Sequence, residues 1–160
     1  MNSDKVHIIA SQIKLSRRGQ VLSSKEASLL TERFGSRIAN WYIELLQRVP
    51  LAGGEFRLTI DDTDPHPIDL VWLTASEMRE ESEDLLPGNC IAHLGYMPVA
   101  GCATGSGDPF FVDFTEHADP PLIQVFHDMV PDNCDALEEH MYRECAPTLS
   151  TALMSLNPAD

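Results

Sequence analysis

Two stretches near the start of the chain carry apolar residues at the three- and four-residue spacing of amphipathic helices. In the first, Ser23 and Glu26 form the pattern of a capping box ahead of a periodic apolar run, which predicts a helix over residues 24–34. Residues 36–49 repeat the apolar spacing, with Ser36 as a possible N-cap, until Pro50 interrupts it. The pattern therefore predicts two consecutive helices.

The hydrophobic period then changes from helical spacing to alternation. Residues 55–61 and 68–74 alternate apolar and polar side chains, as half-buried strands do. Within the stretch 106–128, two runs of aromatic and β-branched residues, 110–114 and 122–126, lie on either side of a polar break with two prolines. These two runs are typical of adjacent antiparallel strands.

The remaining segments have less regular patterns. Residues 77–86 predict a short acidic helix, and residues 89–94 and 97–103 are candidates for two more strands. Residues 137–156 carry apolar residues near four-residue spacing, which predicts a final helical region, capped by Asp132 or Asn133, that is kinked or broken at Pro147.

This order of elements predicts an α+β fold. Sequential strands with short connections favour a mostly antiparallel sheet, here of about six strands, with helices packed against it. Residues 1–22 have an ambiguous pattern, and we treat them as an N-terminal extension. Residues 23–160 are expected to form a single domain, which is an ordinary size for one hydrophobic core.

The composition adds one unusual feature, a large negative charge. The 160 residues carry a formal net charge of −14, and 43% of them are hydrophobic. Residues 1–50 contain 8 Lys and Arg residues and 4 Asp and Glu residues, so the rest of the chain holds 3 basic and 21 acidic residues. An acidic surface of this kind keeps a protein in solution, and it can also capture a basic partner. The charge itself leaves both interpretations open.

Charge and hydropathy exclude several classes of partner. A strongly acidic chain is a poor ligand for nucleic acid or for an anionic membrane. No apolar run approaches the ~20 residues that span a bilayer. We therefore expect a cytoplasmic protein whose four cysteines are reduced, with no nucleic acid and no membrane among its partners.

Motifs for chemistry are weak in this sequence. The sequence contains neither a complete phosphate-binding loop nor a nucleophile elbow, so we expect no catalytic residues and no cofactor. The sharpest catalytic alternative is a small hydrolase in which Asp108 or Asp113 orients His127. It requires a carboxylate within hydrogen-bonding reach of His127 in a pocket.

Metal-binding patterns are incomplete. Cys90 and His93 have a ligand-like spacing, but no second pair completes a zinc site. The acidic loop with Asp61, Asp62 and Asp64 lacks the glycine and the terminal glutamate of an EF-hand calcium loop. We therefore expect no bound metal.

Several segments taken together resemble the SUKH superfamily, the relatives of the fungal cell-wall-assembly regulator. The similarity covers about residues 24–156, and its most specific part is a Gly-Asp-aromatic strand followed by a strand that ends in histidine. The residues that carry it are Ile38-x2-Trp41-Tyr42-x2-Leu45-Leu46, Gly53-Gly54-Glu55-Phe56, the segment Gly105-Ser106-Gly107-Asp108-Pro109-Phe110-Phe111-Val112-Asp113 and the segment Pro121-Leu122-Ile123-Gln124-Val125-Phe126-His127-Asp128.

The resemblance implies a function as well as an α+β sheet with flanking helices. Many bacterial members are immunity proteins that bind a toxin domain, commonly a nuclease, and block it. The family has no catalytic residues to transfer, and its turn and strand motif corresponds here to Gly107, Asp108 and Asp113, which we interpret as structural.

We accordingly expect a protein-binding module that neutralises a basic toxin domain through acidic side chains. The two densest acidic runs supply the predicted contacts, which are Asp61, Asp62, Asp64, Glu77, Glu80, Glu81, Glu83 and Asp84. A regulatory scaffold domain that binds an ordinary cellular protein is the first alternative, and the hydrolase is the second.

Overall fold

The computed structural model of the chain describes residues 2–59 and 66–159. Within these ranges the chain forms an α+β fold with one antiparallel sheet. The α-helices are α1 (Asn2–Gln12), α2 (Ser24–Phe34), α3 (Asn40–Arg48), α4 (Ala75–Glu83), α5 (Gly88–Ile91) and α6 (Leu149–Met154). The strands are β1 (Glu55–Leu58), β2 (Ile68–Trp72), β3 (Met97–Cys102), β4 (Phe110–Val112), β5 (Leu122–Val125), β6 (Tyr142–Ala146) and β7 (Leu156–Pro158).

The strands of the described residues form a seven-stranded sheet in the order β6-β5-β4-β3-β2-β1-β7. Each of its six strand pairs is antiparallel, and consecutive strands from β1 to β6 lie side by side. The predicted α+β class and antiparallel sheet are therefore confirmed, although the sheet has seven strands where the sequence predicted about six.

Helix α2 begins where the sequence predicts, because its capping box forms. The Ser23 hydroxyl accepts a hydrogen bond from the backbone N–H of Glu26 at 3.1 Å, and the Glu26 carboxylate accepts one from the N–H of Ser23 at 2.8 Å. The next helix starts later than predicted. Ser36 lies inside a short 3₁₀ turn, Gly35–Arg37, and α3 begins only at Asn40.

The prediction of a strand at residues 89–94 is wrong. These residues form α5 and a 3₁₀ turn, Ala92–Leu94. Both edges of β3 are already paired, with β2 on one side and β4 on the other, so the sheet has no place for another strand beside it. A short apolar run of this kind fits a strand or a buried helical turn equally well by periodicity.

The prediction of a final helical region over residues 137–156 is also wrong for most of its length. Residues 142–146 form β6, which pairs with the open edge of β5. The break expected at Pro147 is present, and Thr148 then caps the short helix α6, which leads directly into β7. The four-residue spacing of the apolar residues was coincidental, because pairing to the sheet edge satisfied the backbone instead.

Alternate residues of the central strands face two hydrophobic clusters on opposite sides of the sheet. Phe110 and Val112 belong to the larger cluster, which also contains buried residues of helices α1, α2, α3, α4 and α6. Phe111 and Ile123 belong to a smaller cluster with Cys90 of α5 and residues of the segment that follows β5. The helices thus cover one face of the sheet, and α5 and the following segment cover part of the other.

Helix α1 belongs to the larger cluster. Its residues Val6 and Ile9 are buried, and α1 packs against α3. Lys5 lies 4.4 Å from the ring centroid of Trp41 and 2.9 Å from a carboxylate oxygen of Asp119. The segment that the sequence left ambiguous therefore contributes side chains to the main core.

No helix among the described residues is long and apolar enough to cross a membrane.

Candidate functional site

The turn between β3 and β4 brings an aspartate and a histidine together. Gly105 and Gly107 both adopt positive φ angles, of 81° and 77°, which glycine allows without steric cost. The chain then places Asp108 beside the end of β5. Its Oδ1 atom accepts a hydrogen bond from the backbone N–H of His127 at 2.9 Å and lies 2.6 Å from the Nδ1 atom of the same residue.

The Asp108–His127 pair has a clear electrostatic consequence. The hydrogen bond to Asp108 raises the pKa of His127 above its usual value, and the Asp108 and Asp128 charges act in the same direction. The imidazole is exposed, so this pair ties the β3–β4 turn to the end of β5 at the protein surface.

The geometry meets one condition of the hydrolase hypothesis, since a carboxylate lies within hydrogen-bonding reach of His127. A hydrolase that forms a covalent intermediate also needs a side-chain nucleophile next to the base. Among the described residues, no serine, threonine or cysteine hydrogen-bonds the His127 ring, and the nearby Ser106 hydroxyl donates instead to the Cys102 thiol at 3.0 Å. The hydrolase hypothesis stays a prediction.

The same residues form the best geometric candidate for a metal site. Asp108, His127 and Asp128 each offer one ligand atom, and these atoms all lie within 4.8 Å of one another. In the described ranges this is the one group of three such residues, and it does not include the Cys90 and His93 pair whose spacing drew attention in the sequence.

Asp113, the third residue of the family-like motif, organises the turn after β4. Its Oδ1 atom accepts hydrogen bonds from the backbone N–H of Thr115 at 2.9 Å and from the Thr115 hydroxyl. Gly95 lies against this turn with a φ of 101°, and a Cβ atom there would be 2.8 Å from the Thr115 hydroxyl oxygen. Close approach of the two segments therefore requires glycine at position 95.

The acidic helix α4, with Asp84 directly after it, uses several of its carboxylates internally. Glu77 completes a capping box with Thr74, and Glu83 forms an ion pair with Arg33 of α2. Glu80 and Asp84 remain exposed to solvent. The other three predicted contact residues, Asp61, Asp62 and Asp64, lie outside the described residues.

Glu81 differs from its neighbours because it is partly buried against α5. Its Oε1 atom accepts a hydrogen bond from the backbone N–H of Gly88 at 3.4 Å. Burial raises the pKa of Glu81 to about 7, an effect that the Gly88 hydrogen bond opposes and the Glu80 charge reinforces. This carboxyl group is therefore poorly placed to attract a partner by charge.

A second acidic surface lies on the segment between β5 and β6. Residues 127–140 contain five carboxylates and no lysine or arginine. All five residues are exposed, and none of them forms an ion pair with a lysine or arginine among the described residues; Asp128 lies near His127, and Glu138 lies 3.5 Å from the His140 ring. The five are Asp128, Asp132, Asp135, Glu138 and Glu139. We refer to residues 127–140 as the acidic segment.

The sequence contained a signal for the acidic segment, namely a run without basic residues, but the segment was assigned partly to a helix. Cys134 of the segment and Met141 just after it pack with Cys90 and Ile91 of α5 in the smaller cluster. The acidic segment therefore packs against α5, on the face of the sheet opposite the cluster that contains α4.

Comparison of the chain with protein-family models, with curated proteins and with solved structures finds no match in any of the three. The resemblance to the SUKH superfamily accordingly stays a prediction from the sequence.

Proposed function

We propose that this protein is a protein-binding module that neutralises a basic toxin domain, in the manner of a bacterial immunity protein. The proposal includes the cytoplasmic location predicted from the sequence, where its four free cysteines would stay reduced. The sequence resemblance supports the class of partner, and the charge distribution of the described residues supports the mode of binding.

The observation that carries the proposal is the set of exposed carboxylates without ion-pair partners on the acidic segment. Elsewhere the protein often pairs its acidic residues, as in Arg18–Glu55 and Arg57–Asp69. A surface that keeps several unpaired like charges pays a repulsive cost in the free protein, and a basic partner removes that cost on binding.

This proposal assigns the main contacts to the acidic segment instead of to the residues predicted from the sequence. Glu80 and Asp84 of the original set keep their assignment, because both are exposed at the C-terminal end of α4. Glu77 and Glu83 contribute less, since each already has a partner within the protein. We assign the main contacts to Asp132, Asp135 and Glu139 of the acidic segment.

A growth assay tests this function. The product of the reading frame beside this gene is expressed in a bacterial host with and without this protein, and growth is recorded. We expect the neighbouring product to be toxic when expressed without this protein and harmless when both are expressed. A non-toxic neighbour that nevertheless binds would favour the regulatory scaffold alternative.

Charge reversal tests the surface. One variant carries Asp132→Lys, Asp135→Lys and Glu139→Lys, and the matched control carries Asp4→Lys, Glu32→Lys and Glu116→Lys, three exposed carboxylates elsewhere. Both variants change the net charge equally. At low salt we expect the rate of association with the toxin domain to fall about tenfold or more in the first variant and much less in the control. Equal slowing would show that only the overall charge matters.

A further inference from the structure

A cavity of about 340 Å³ opens at one end of the sheet, close to the start of the acidic segment at His127. It lies where β2 begins, β3 ends and the edge strand β6 passes beside the end of β5. The side chains that line it and that matter here are Asp69, Cys102, Ser106, Asp108, Gln124 and Arg143. The proposed toxin-binding function makes no use of this cavity.

Arg143 is held in place at the wall of the cavity by neutral groups. Its Nε atom donates a hydrogen bond to Oε1 of Gln124 at 2.8 Å, and Nε2 of Gln124 donates to the backbone carbonyl of Asp108 at 3.0 Å. Gln124 is only 5% exposed, so the amide that orients the guanidinium is itself fixed at both ends. The nearby Cys145 thiol is also neutral, because burial raises its pKa to about 11.

No carboxylate of the described residues forms an ion pair with Arg143, and both carboxylates of the described cavity wall are already bonded to other groups. Asp69 forms a two-point contact with the Arg57 guanidinium, at 2.7 Å and 3.2 Å. Asp108 is paired with His127. Of the three arginines after residue 50, one therefore lines this cavity and a second neutralises its wall. Arg143 is the one lysine or arginine among the described residues that line the cavity, in a protein whose net charge is strongly negative.

We propose that this cavity binds a small molecule through a carboxylate or phosphate group, with Arg143 as its anchor. The Gln124 contact occupies only the Nε edge of the guanidinium, which leaves the two Nη groups to hold two oxygens of one anionic group. The hydroxyl of Ser106 lines the same wall. The volume is at the small end of the range for ligand pockets, which fits a compact metabolite rather than a nucleotide or a peptide.

Cys102 lines the cavity, so the rate at which its thiol is alkylated can report on the cavity. Burial raises the pKa of its thiol, but the hydrogen bonds with Ser106 at 3.0 Å and Thr104 at 3.1 Å outweigh that effect and lower the pKa overall. The side chain is partly exposed, so an alkylating reagent that enters the cavity can reach it.

The first experiment compares alkylation of Cys102 by iodoacetate, an anion, with alkylation by the neutral iodoacetamide, followed by mass spectrometry of the peptide. The thiolate displaces iodide from both reagents, so the rate with iodoacetate divided by the rate with iodoacetamide reports the local charge. We expect the ratio to exceed that of a cysteine in an unstructured peptide by about threefold, as one nearby positive charge implies. A ratio at or below that of the peptide would overturn the proposal.

Two variants distinguish the local effect of Arg143 from the effect of the protein's overall charge. Arg143→Gln should bring the ratio down to the peptide value or below it, whereas Arg79→Gln removes the same charge from α4 and should leave the ratio unchanged. If the two variants have equal effects, the preference for the anion does not come from Arg143 and the proposal is wrong.

The second experiment identifies the anionic group. Inorganic phosphate and acetate are each titrated against alkylation by iodoacetamide, with potassium chloride at matched ionic strength as the control. Protection by phosphate indicates a phosphate-bearing ligand, and protection by acetate indicates a carboxylate, provided that Arg143→Gln abolishes it. Protection that is no better than that of chloride, or that persists in Arg143→Gln, overturns the proposal.

Discussion

Single carboxylates of this protein differ sharply in how far they are exposed to solvent. On α4, Glu80 is exposed, whereas Glu81 on the next position is partly buried and bonded to Gly88. Burial on one side of a helix therefore decides which carboxylates are available to a partner. The same principle applies to Asp69 and Asp108, which line a cavity but are each paired with a cation or an imidazole.

The buried environment of Glu81 predicts a pH-dependent stability. Its pKa is raised to about 7, so between about pH 4.5 and pH 7 the unfolded chain loses the proton while the folded protein keeps it. The free energy of unfolding therefore falls as pH rises through this range. Glu81→Gln should stabilise the protein by about 1–2 kcal/mol at pH 8, a value reduced for the partial exposure of the group, and by little at pH 4.5.

Urea denaturation at the two pH values measures this effect. Glu80→Gln is the matched control, because it removes a charge from the same helix without removing a buried carboxyl group. An equal gain from Glu81→Gln at both pH values would contradict the explanation by burial.

A second residue-scale prediction concerns a hydrogen bond within the core. The indole Nε1 of Trp72 donates to the hydroxyl of Tyr42 at 2.9 Å, and both side chains are fully buried. Tyr42→Phe would leave the indole N–H without this acceptor, at a cost of about 1–3 kcal/mol. Thermal and urea denaturation should show this loss, and Tyr142→Phe, on a partly exposed tyrosine, should cost less than about 0.5 kcal/mol.

At the scale of elements, local signals and pairing partners compete to set each segment. The helix α2 follows its own capping box, and β4 and β5 form the adjacent pair that their aromatic runs predict. By contrast, α5 and β6 take the conformations that their neighbours permit. The backbone of α5 packs directly on the end of α4, and β6 completes the edge of the sheet.

The contact between α4 and α5 gives an element-scale prediction. A Cβ atom on Gly88 would lie 2.0 Å from the carbonyl oxygen of Glu81, which is a backbone atom and cannot turn away. We expect Gly88→Ala to separate the two helices and to cost about 2 kcal/mol or more. The control is Gly101→Ala, where the nearest atom would be Cδ2 of Leu73 at 3.6 Å, an ordinary contact. Urea denaturation of both variants measures the difference, and equal stabilities would contradict it.

At the scale of the whole molecule, the N-terminal helix is part of the core. Two adjacent isoleucines of α1 give a direct test, because Ile8 is 52% exposed and Ile9 is 1% exposed. We expect Ile9→Ala to destabilise the protein by about 2–4 kcal/mol through the cavity it leaves, and Ile8→Ala by less than about 0.5 kcal/mol. Thermal denaturation of the two variants should show this contrast. Equal, small effects would mean that α1 is a detachable extension.

The molecule also distributes its charged side chains unevenly over its surface. The exposed carboxylates of the acidic segment lie beside α5, whereas two of the three arginines after residue 50 are at the cavity near the end of β5. The proposed acidic surface for a protein partner and the proposed arginine-anchored cavity for a small anion can therefore coexist on one chain. The overall net charge of −14 reveals only the first of these two features.

Much of the fold could be predicted from the sequence by itself. The capping box at Ser23, the alternation in β1 and β2 and the aromatic runs of β4 and β5 are local patterns, and local backbone preferences were enough to determine their class. The α+β class followed from the order of these elements. The sequence also offered a carboxylate–histidine pair as an alternative, with either Asp108 or Asp113 beside His127, and the structure places Asp108 there.

Only the tertiary structure decided the rest. It placed residues 142–146 on a sheet edge, α1 in the core and Arg143 against a buried Gln124, and it paired Asp69 with Arg57. Each of these outcomes depends on a partner that is distant in sequence, and a periodic pattern contains no information about such a partner. The sequence therefore determined which elements form where the signal is local, and the packing determined which side chains are neutralised, which are buried and which are left for a ligand.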